Sequence, residues 1–313
     1  MRKFKNFIII LLIEILLISG CSYNNTAQEN TNNHEITLSE TVKNEKSAAK
    51  TKDVLSNQGF QEINKDELKV YFINVGQGDS TLLEYKNHYM IIDAGNNSEE
   101  EFMVEYLNSK NIDTLDYIIG THPHADHIGG MDAVIDNFDV EKIYMPTATT
   151  DTKTFADVLD SIENKNLSIT EPVAGTEFMF DDLNIEILSP ILEYDEMNNN
   201  SIVLKLTYND ISFLFTGDAE EMAEYDILNS GYNISSDVLK VGHHGSDTST
   251  SDKFLDAVNP TYSVISVGKN SYGHPAEIVL NRLDKYSSEI FRTDQNGTIV
   301  FSTNGKELKI NVE

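Results

Sequence analysis

The stretch Thr121-His122-Pro123-His124-Ala125-Asp126-His127-Ile128-Gly129-Gly130 holds the densest set of chemically able side chains in the sequence. Three of the eight histidines and one aspartate fall between positions 122 and 127, directly after the apolar run Tyr117, Ile118, Ile119. Isolated histidines scatter; these do not. Neutral imidazoles beside a carboxylate form a ligand set suited to Zn²⁺ and Mn²⁺. The chemistry such a set supports is metal-assisted hydrolysis, because a bound divalent ion lowers the pKa of water from ~15.7 to near ~7. A chain that leaves a strand, turns and starts a helix can aim His122 and His124 at one ion and Asp126 and His127 at its neighbour.

Four further elements have matching chemistry at matching places. Asp93 ends the apolar run Tyr89-Met90-Ile91-Ile92, where a carboxylate can orient a ligand histidine from behind. Asp218 ends Leu214-Phe215-Thr216-Gly217, a position from which one carboxylate can reach two cations. His243 and His244 follow Val238-Leu239-Lys240-Val241-Gly242. Asn74-Val75-Gly76-Gln77-Gly78-Asp79-Ser80 is a glycine-rich turn open to close backbone approach, and Asp79 joins Asp93 as a supporting carboxylate. His274, in Tyr272-Gly273-His274-Pro275, is a candidate to stabilise a transition state or protonate a leaving group. Any one of these alone reads as structural; their recurrence at strand ends beside the first cluster reverses that reading. Lys240 and Lys269 lie close to the motifs and read as solvated lysines within reach of phosphate. No role is assigned to His34 or His88.

The elements that must position these residues are short. Strands are expected at Leu68–Val75, Ser80–Tyr85, His88–Asp93 and Tyr117–Gly120, with Lys86-Asn87 as a hairpin turn. A second set is expected at Glu177–Phe180, Asn184–Leu188, Ser201–Tyr208, Ile211–Thr216, Asp237–Val241, Tyr262–Val267 and Thr298–Ser302. Helices are expected near Glu100–Ser109, Met131–Asn137, Ala219–Asn229, Ser251–Val258 and Ala276–Tyr286. Phe155, Val158, Leu159 and Ile162 have the helical spacing of a core-facing stripe. The natural architecture is α/β: two mixed sheets, each covered by helices, in a four-layer αββα sandwich over residues 67–313.

The N-terminus reads differently. Arg2, Lys3 and Lys5 precede an apolar run from Phe7 to Ile18 that is too short for an ordinary membrane span. It ends in Ile18-Ser19-Gly20-Cys21, which resembles a bacterial lipobox. Residues 1–20 are thus expected to be a lipoprotein signal peptide, with Cys21 lipidated and held at the extracellular face of the cell membrane. Cys21 is the sole cysteine, so no intramolecular disulfide can form. Residues 21–66 are rich in Asn, Thr, Glu, Lys and Ser and read as a disordered tether. The formal charge is −28, and removing residues 1–20 makes it (23 − 3) − (51 − 1) = −30. That field repels nucleic acid in general, so a polyanionic substrate must be held by metal ions or local basic residues.

His122-x-His124-x-Asp126-His127, with Asp93, Asp218 and the His243/His244 pair in order behind it, is similar to the signature of the metallo-β-lactamase superfamily. Within it the chain most resembles the extracellular hydrolase domain of ComEC-type competence proteins. The phrases that carry the likeness are Asn74–Ser80, Thr216–Glu220, Lys240–Ser246, Ile265–Pro275 and Arg292–Ile299. A weaker likeness extends to phosphorylcholine esterases that trim teichoic acids. The resemblance implies two divalent ions, Zn²⁺ or Mn²⁺. His122, His124 and Asp218 would hold one, and Asp126, His127, Asp218 and one of His243/His244 the other. It also implies a phosphodiester substrate, DNA before a choline or teichoic-acid ester, and gives no protein partner. A surface protein that keeps the fold for binding without catalysis is the alternative of another class. One departure stands out: no histidine lies between His127 and His243, so the superfamily's usual third histidine for the first ion is missing. Met197-Asn198-Asn199-Asn200-Ser201-Ile202-Val203-Leu204 occupies its place.

Overall fold

In β1 (Leu68–Phe72), β2 (Ser80–Tyr85) and β3 (His88–Ala94) the chain runs as an antiparallel meander. Lys86 and Asn87 both take positive φ, 51° and 64°, the turn geometry that matches the strands' twist. These elements come from a computed structural model that describes residues 66–313. The expected signal peptide, Cys21 and the tether up to residue 65 lie outside the described residues, as does His34.

α1 (Glu100–Ser109) then crosses to β4 (Thr114–Ile119), which pairs parallel to β3. α2 (Ala125–Ile128) and α3 (Met131–Asn137) follow, then β5 (Asp139–Tyr144), α4 (Lys153–Asn164) and the short β6 (Ile169–Thr170). The second half has β7 (Glu177–Phe180), β8 (Leu183–Ser189), β9 (Val203–Tyr208) and β10 (Ile211–Phe215) as an antiparallel run. It continues through α5 (Glu221–Ser230), β11 (Val238–Lys240), α6 (Asp252–Val258), β12 (Tyr262–Ile265), α7 (Glu277–Lys285) and β13 (Glu289–Arg292), whose strands pair parallel. α8 (Thr293–Asn296) leads back to β14 (Ile299–Thr303) and β15 (Leu308–Val312), which close the first sheet.

Two mixed sheets result, β15-β14-β1-β2-β3-β4-β5-β6 and β13-β12-β11-β10-β9-β8-β7. One apolar core fills the space between them, with Phe72, Leu83, Met90, Phe213, Phe215 and Phe301. A second core lies under α1, α3 and α4, and a third under α5, α6 and α7. The four-layer αββα sandwich expected from the sequence is the observed architecture.

Some expectations need correcting. β1 stops at Phe72, because Ile73 to Asp79 leave the ladder to form the glycine-rich turn. β9 starts at Val203 and not at Ser201, since Ser201 is drawn to His122 and the backbone of Asp218. Strands β5, β6, β13 and β15 are not among those expected from the sequence. Leu159 is not part of the core stripe: it is 36% exposed, whereas Phe155, Val158, Ser161 and Ile162 are buried. The buried arc of α4 is turned toward Ser161, which leaves Leu159 at its edge.

Candidate metal centre

The parallel strands point their C-terminal ends at one crevice, the usual place for a site in such sheets. Asp93 comes from the end of β3, residues 121–128 follow β4, Asp218 follows β10, and His243 and His244 follow β11. Two glycines make the convergence possible. At Gly78 a Cβ would fall 2.5 Å from the carbonyl oxygen of Asp126, which accepts from the Asp79 N–H at 3.0 Å. Gly217 takes φ 51° and lies wedged between Thr121 and Ser201, so that the next residue, Asp218, turns inward.

Asp218 is the pivot. Its Oδ2 lies 3.2 Å from His127 Nε2, 3.6 Å from His244 Nε2, 3.7 Å from His243 Nε2 and 3.8 Å from His122 Nε2. His244 Nε2 is also 3.3 Å from Asp126 Oδ2. Two ligand atoms on one tetrahedral ion, each about 2.05 Å away, sit about 3.3 Å apart, so these spacings suit shared cations. His124 approaches with its other nitrogen: Nδ1 is 3.0 Å from His122 Nε2.

In all four of the former histidines the far nitrogen, Nδ1, is held from behind. Asp93 Oδ2 takes His127 Nδ1 at 2.8 Å, and the same carboxylate accepts from Thr121 N–H at 2.8 Å and Thr121 Oγ1 at 2.7 Å. His122 Nδ1 meets Thr121 Oγ1 at 3.2 Å and Ser201 Oγ at 3.3 Å. His244 Nδ1 donates to the Ser266 carbonyl at 2.9 Å, with Asp79 Oδ1 at 3.3 Å. His243 Nδ1 lies 3.3 Å from Thr248 Oγ1 and 3.2 Å from Glu220 Oε1. A proton fixed on Nδ1 leaves the Nε2 lone pair free to ligate. His127 Nε2, His244 Nε2 and Asp218 Oδ1 are buried and have no hydrogen-bond partner among the described residues. Orphaned polar atoms of this kind are rare in cores; a bound cation satisfies all three, so the donors present fit metal ions.

The electrostatics agree. Burial alone depresses a histidine pKa, yet Asp218 and Asp93 outweigh it at His127 and raise it well above the ordinary value. At His244, Asp218 and Asp79 likewise overcome burial and push it up to about 10. Asp126 and Asp218 are held well below the carboxylate range against their burial, Asp126 chiefly by His244 and Asp218 chiefly by His127. Burial, then His127, keeps His122 low. The carboxylates thus draw positive charge to His127 and His244, a demand that a bound cation meets.

Every residue expected at the site is in it, with different parts. Asp79 and Asp93 stand behind His244 and His127. His244, not His243, faces Asp126 and His127, and both histidines border a cleft of about 310 Å³ with Gln77, His124, Asn198 and Tyr272. His274 lines the same cleft, its ring 5.3 Å from that of His243. Burial, then His243 and His244, lowers its pKa. Lys240 is not solvated: it is 3% exposed and pairs with Asp79 Oδ2 at 2.7 Å. Lys269 is exposed. Glu220, Thr248 and Asn198 have no role in a reading of the sequence; the signals present are Glu220 two residues after Asp218 and Asn198 in the segment that stands where the third histidine is missing.

Similarity to known proteins follows the same lines. The ComE operon protein 3 of Bacillus subtilis (strain 168) is 34% identical over 255 residues, 75% of this chain and 33% of that protein. Competence protein ComA of Neisseria gonorrhoeae is 30% identical over 249 residues, 76% of this chain and 32% of that one. The chain thus spans about a third of the length of these relatives. In fold it resembles the metallo-beta-lactamase fold protein YhfI from Bacillus subtilis, with TM-score 0.53, 12% identity, 76% of this chain and 100% of that one covered. It also resembles CmlA, a diiron beta-hydroxylase from Streptomyces venezuelae, with TM-score 0.52, 10% identity, 79% of this chain and 54% of that one covered. Residues 73–269, which contain every candidate ligand, match the profile of the Metallo-beta-lactamase superfamily, and to that family the chain belongs.

Proposed function

We propose that this protein is a dinuclear metal-dependent phosphodiesterase whose substrate is DNA. The observation that carries the reading is the set of four histidine Nε2 atoms 3.2–3.8 Å from Asp218 Oδ2, each ring fixed through its Nδ1. His122, His124 and Asp218 hold one ion; Asp126, His127, Asp218 and His244 hold the other, and the all-N/O donor set suits Zn²⁺ or Mn²⁺. Bound divalent ions supply a nucleophile at neutral pH and a Lewis acid for the phosphoryl oxygens. The chain's own residues orient what enters the cleft. His274, which lines the cleft, offers a hydrogen bond to the substrate or a proton to its leaving group. Tyr272, 74% exposed at the cleft rim, offers a face on which a base can stack. The names of two relatives, a competence protein and a recombination protein, favour DNA over other phosphodiesters.

The same proposal places the protein outside the cytoplasmic membrane, anchored through a lipid on Cys21. The test is a substrate screen with the Mn²⁺- or Zn²⁺-loaded protein against single- and double-stranded DNA, bis-p-nitrophenyl phosphate and phosphorylcholine esters. DNA cleavage faster than choline-ester cleavage is expected, abolished in His122→Ala and Asp126→Ala. Rapid choline-ester cleavage with DNA left intact assigns the protein to teichoic-acid or phosphorylcholine metabolism. Two bound ions with no turnover of any ester makes it a binding protein.

A further inference from the structure

The segment that replaces the missing third histidine contains three consecutive asparagines, Asn198, Asn199 and Asn200, all buried. Two of them are accounted for by the backbone. Asn199 Oδ1 accepts from the N–H groups of Glu220 and Ala223, at 3.2 and 3.1 Å, and so caps the start of α5. Asn200 accepts from Tyr194 N–H at 3.0 Å and donates to the Tyr194 and Glu196 carbonyls, at 2.8 and 3.2 Å. Asn198 is different. It is 6% exposed, lines the cleft with His124, Asp218 and His243, and its Oδ1 is buried without a hydrogen-bond partner among the described residues.

The orientation of that amide is chemically determined. Asn198 Nδ2 lies 3.2 Å from Glu220 Oε1, which also accepts from Thr248 Oγ1 at 3.0 Å. A carboxylate accepts and cannot donate, so the NH₂ group must face it and the carbonyl oxygen must face the other way. What Asn198 presents at its free end is a fixed acceptor. An acceptor repels phosphate oxygens; it suits a cation.

Resting on the dinuclear reading above, we propose that Asn198 Oδ1 completes the first metal site, taking the place of the absent histidine beside His122, His124 and Asp218. Glu220 is its positioning residue, holding the amide of Asn198 while lying 3.2 Å from His243 Nδ1. An amide oxygen is a harder donor than imidazole, and this substitution shifts the first site toward Mn²⁺ relative to a three-histidine site.

The test is Mn²⁺ titration of the purified protein by calorimetry and electron paramagnetic resonance, with the wild type, Asn198→Ala and the double variant Asn198→Asp/Glu220→Gln, in which the amide at 220 takes over the donor role that the Asn198 NH₂ plays toward Glu220. The wild type is expected to bind two ions. Asn198→Ala is expected to keep the tighter ion and bind the second about 10–100-fold more weakly. The double variant keeps an oxygen at position 198 and is expected to hold both. Two ions bound by the alanine variant with unchanged dissociation constants overturn the inference. So does loss of one ion from a double variant whose circular dichroism matches wild type. A wild-type protein that binds no Mn²⁺ and no Zn²⁺ removes the dinuclear reading itself, a result distinct from either.

Discussion

Asp93→Asn tests whether the site works through the partners behind its ligands. Asp93 is 1% exposed and gives one oxygen to Thr121 N–H and the other to Thr121 Oγ1 and His127 Nδ1. An amide of the same shape has one acceptor where the site uses two. If its oxygen keeps Thr121 N–H, its NH₂ meets His127 Nδ1, and the ring must move its proton to Nε2, the nitrogen that faces Asp218. If the amide flips, the NH₂ meets the buried Thr121 N–H and leaves that donor unpaired, at about 1–3 kcal/mol. The first outcome weakens the ion held by His127 about 10–100-fold, the usual effect of losing such a partner. The second lowers the melting temperature by about 2–12 °C for a chain of this size. Asp93→Ala should be worse, because residue 93 sits at φ 57°, where alanine costs roughly a further 1–2 kcal/mol. Competition titration against a chelating dye and thermal denaturation read both effects. An Asp93→Asn protein with wild-type metal affinity and an unchanged melting temperature would refute the claim that Asp93 sets the tautomer of His127.

Asp218→Ala should disturb both ions at once and reduce DNA cleavage to background, since all four Nε2 atoms face its Oδ2; elemental analysis showing two retained ions would contradict this. Metal affinity should climb with pH, because an ion must displace the protons that His127 and His244 hold in the metal-free fold, by up to about tenfold per pH unit for each proton released. The rise should persist toward the value of about 10 for His244, and a flat profile between pH 6 and 8 would count against it. The same raised pKa stabilises the metal-free fold fully below the ordinary histidine value and is lost as pH rises through about 10. Tyr272→Ala should weaken binding of single-stranded DNA by about 1–3 kcal/mol, the worth of one stacked base, as read by fluorescence anisotropy. Cys21→Ser should release the protein from the membrane fraction or leave its precursor uncleaved, and an unmodified mature N-terminus downstream of Cys21 would rule the anchor out.

The ligands that follow β4 are legible because their chemistry is written locally. Three histidines within six positions and carboxylates at the ends of apolar runs need no tertiary information. The choice between His243 and His244 was not legible. Both take left-handed backbone, φ 49° and 53°, and both bring Nε2 within 3.7 Å of Asp218 Oδ2, but only His244 also reaches Asp126, and neither apolar nor polar patterning encodes that. Lys240 failed for a related reason: its charge predicts solvent, but Asp79, 161 positions earlier, neutralises it inside the fold. In the fold itself, β5 was hidden by the sequence Asp139-Val140-Glu141-Lys142, whose exposed charges look like a loop. It is a strand because β4 and β6 pair with it on both sides.

The ligands also come from two sheets. His122, His124, Asp126 and His127 follow a strand of the first, with Asp79 and Asp93 as supporting carboxylates from the same sheet; Asp218 and His244 follow strands of the second. Between the sheets lies a core of apolar side chains, which binds strongly but without direction and does not by itself fix the centre to a fraction of an ångström. The direction comes from polar bonds that cross from one sheet's loops to the other's: Ile202 N–H to the Thr121 carbonyl at 2.9 Å, Ser201 Oγ to His122, and Gly268 N–H to Gln77 Oε1 at 3.3 Å. The buried Lys240–Asp79 pair is a fourth such link. Buried ion pairs add little net stability over apolar contacts, but like the hydrogen bonds beside it this one has a preferred direction and distance. Set beside the metal ligands, that directionality is what a site with two ions requires: the sheets supply cohesion, and the polar cross-links supply register.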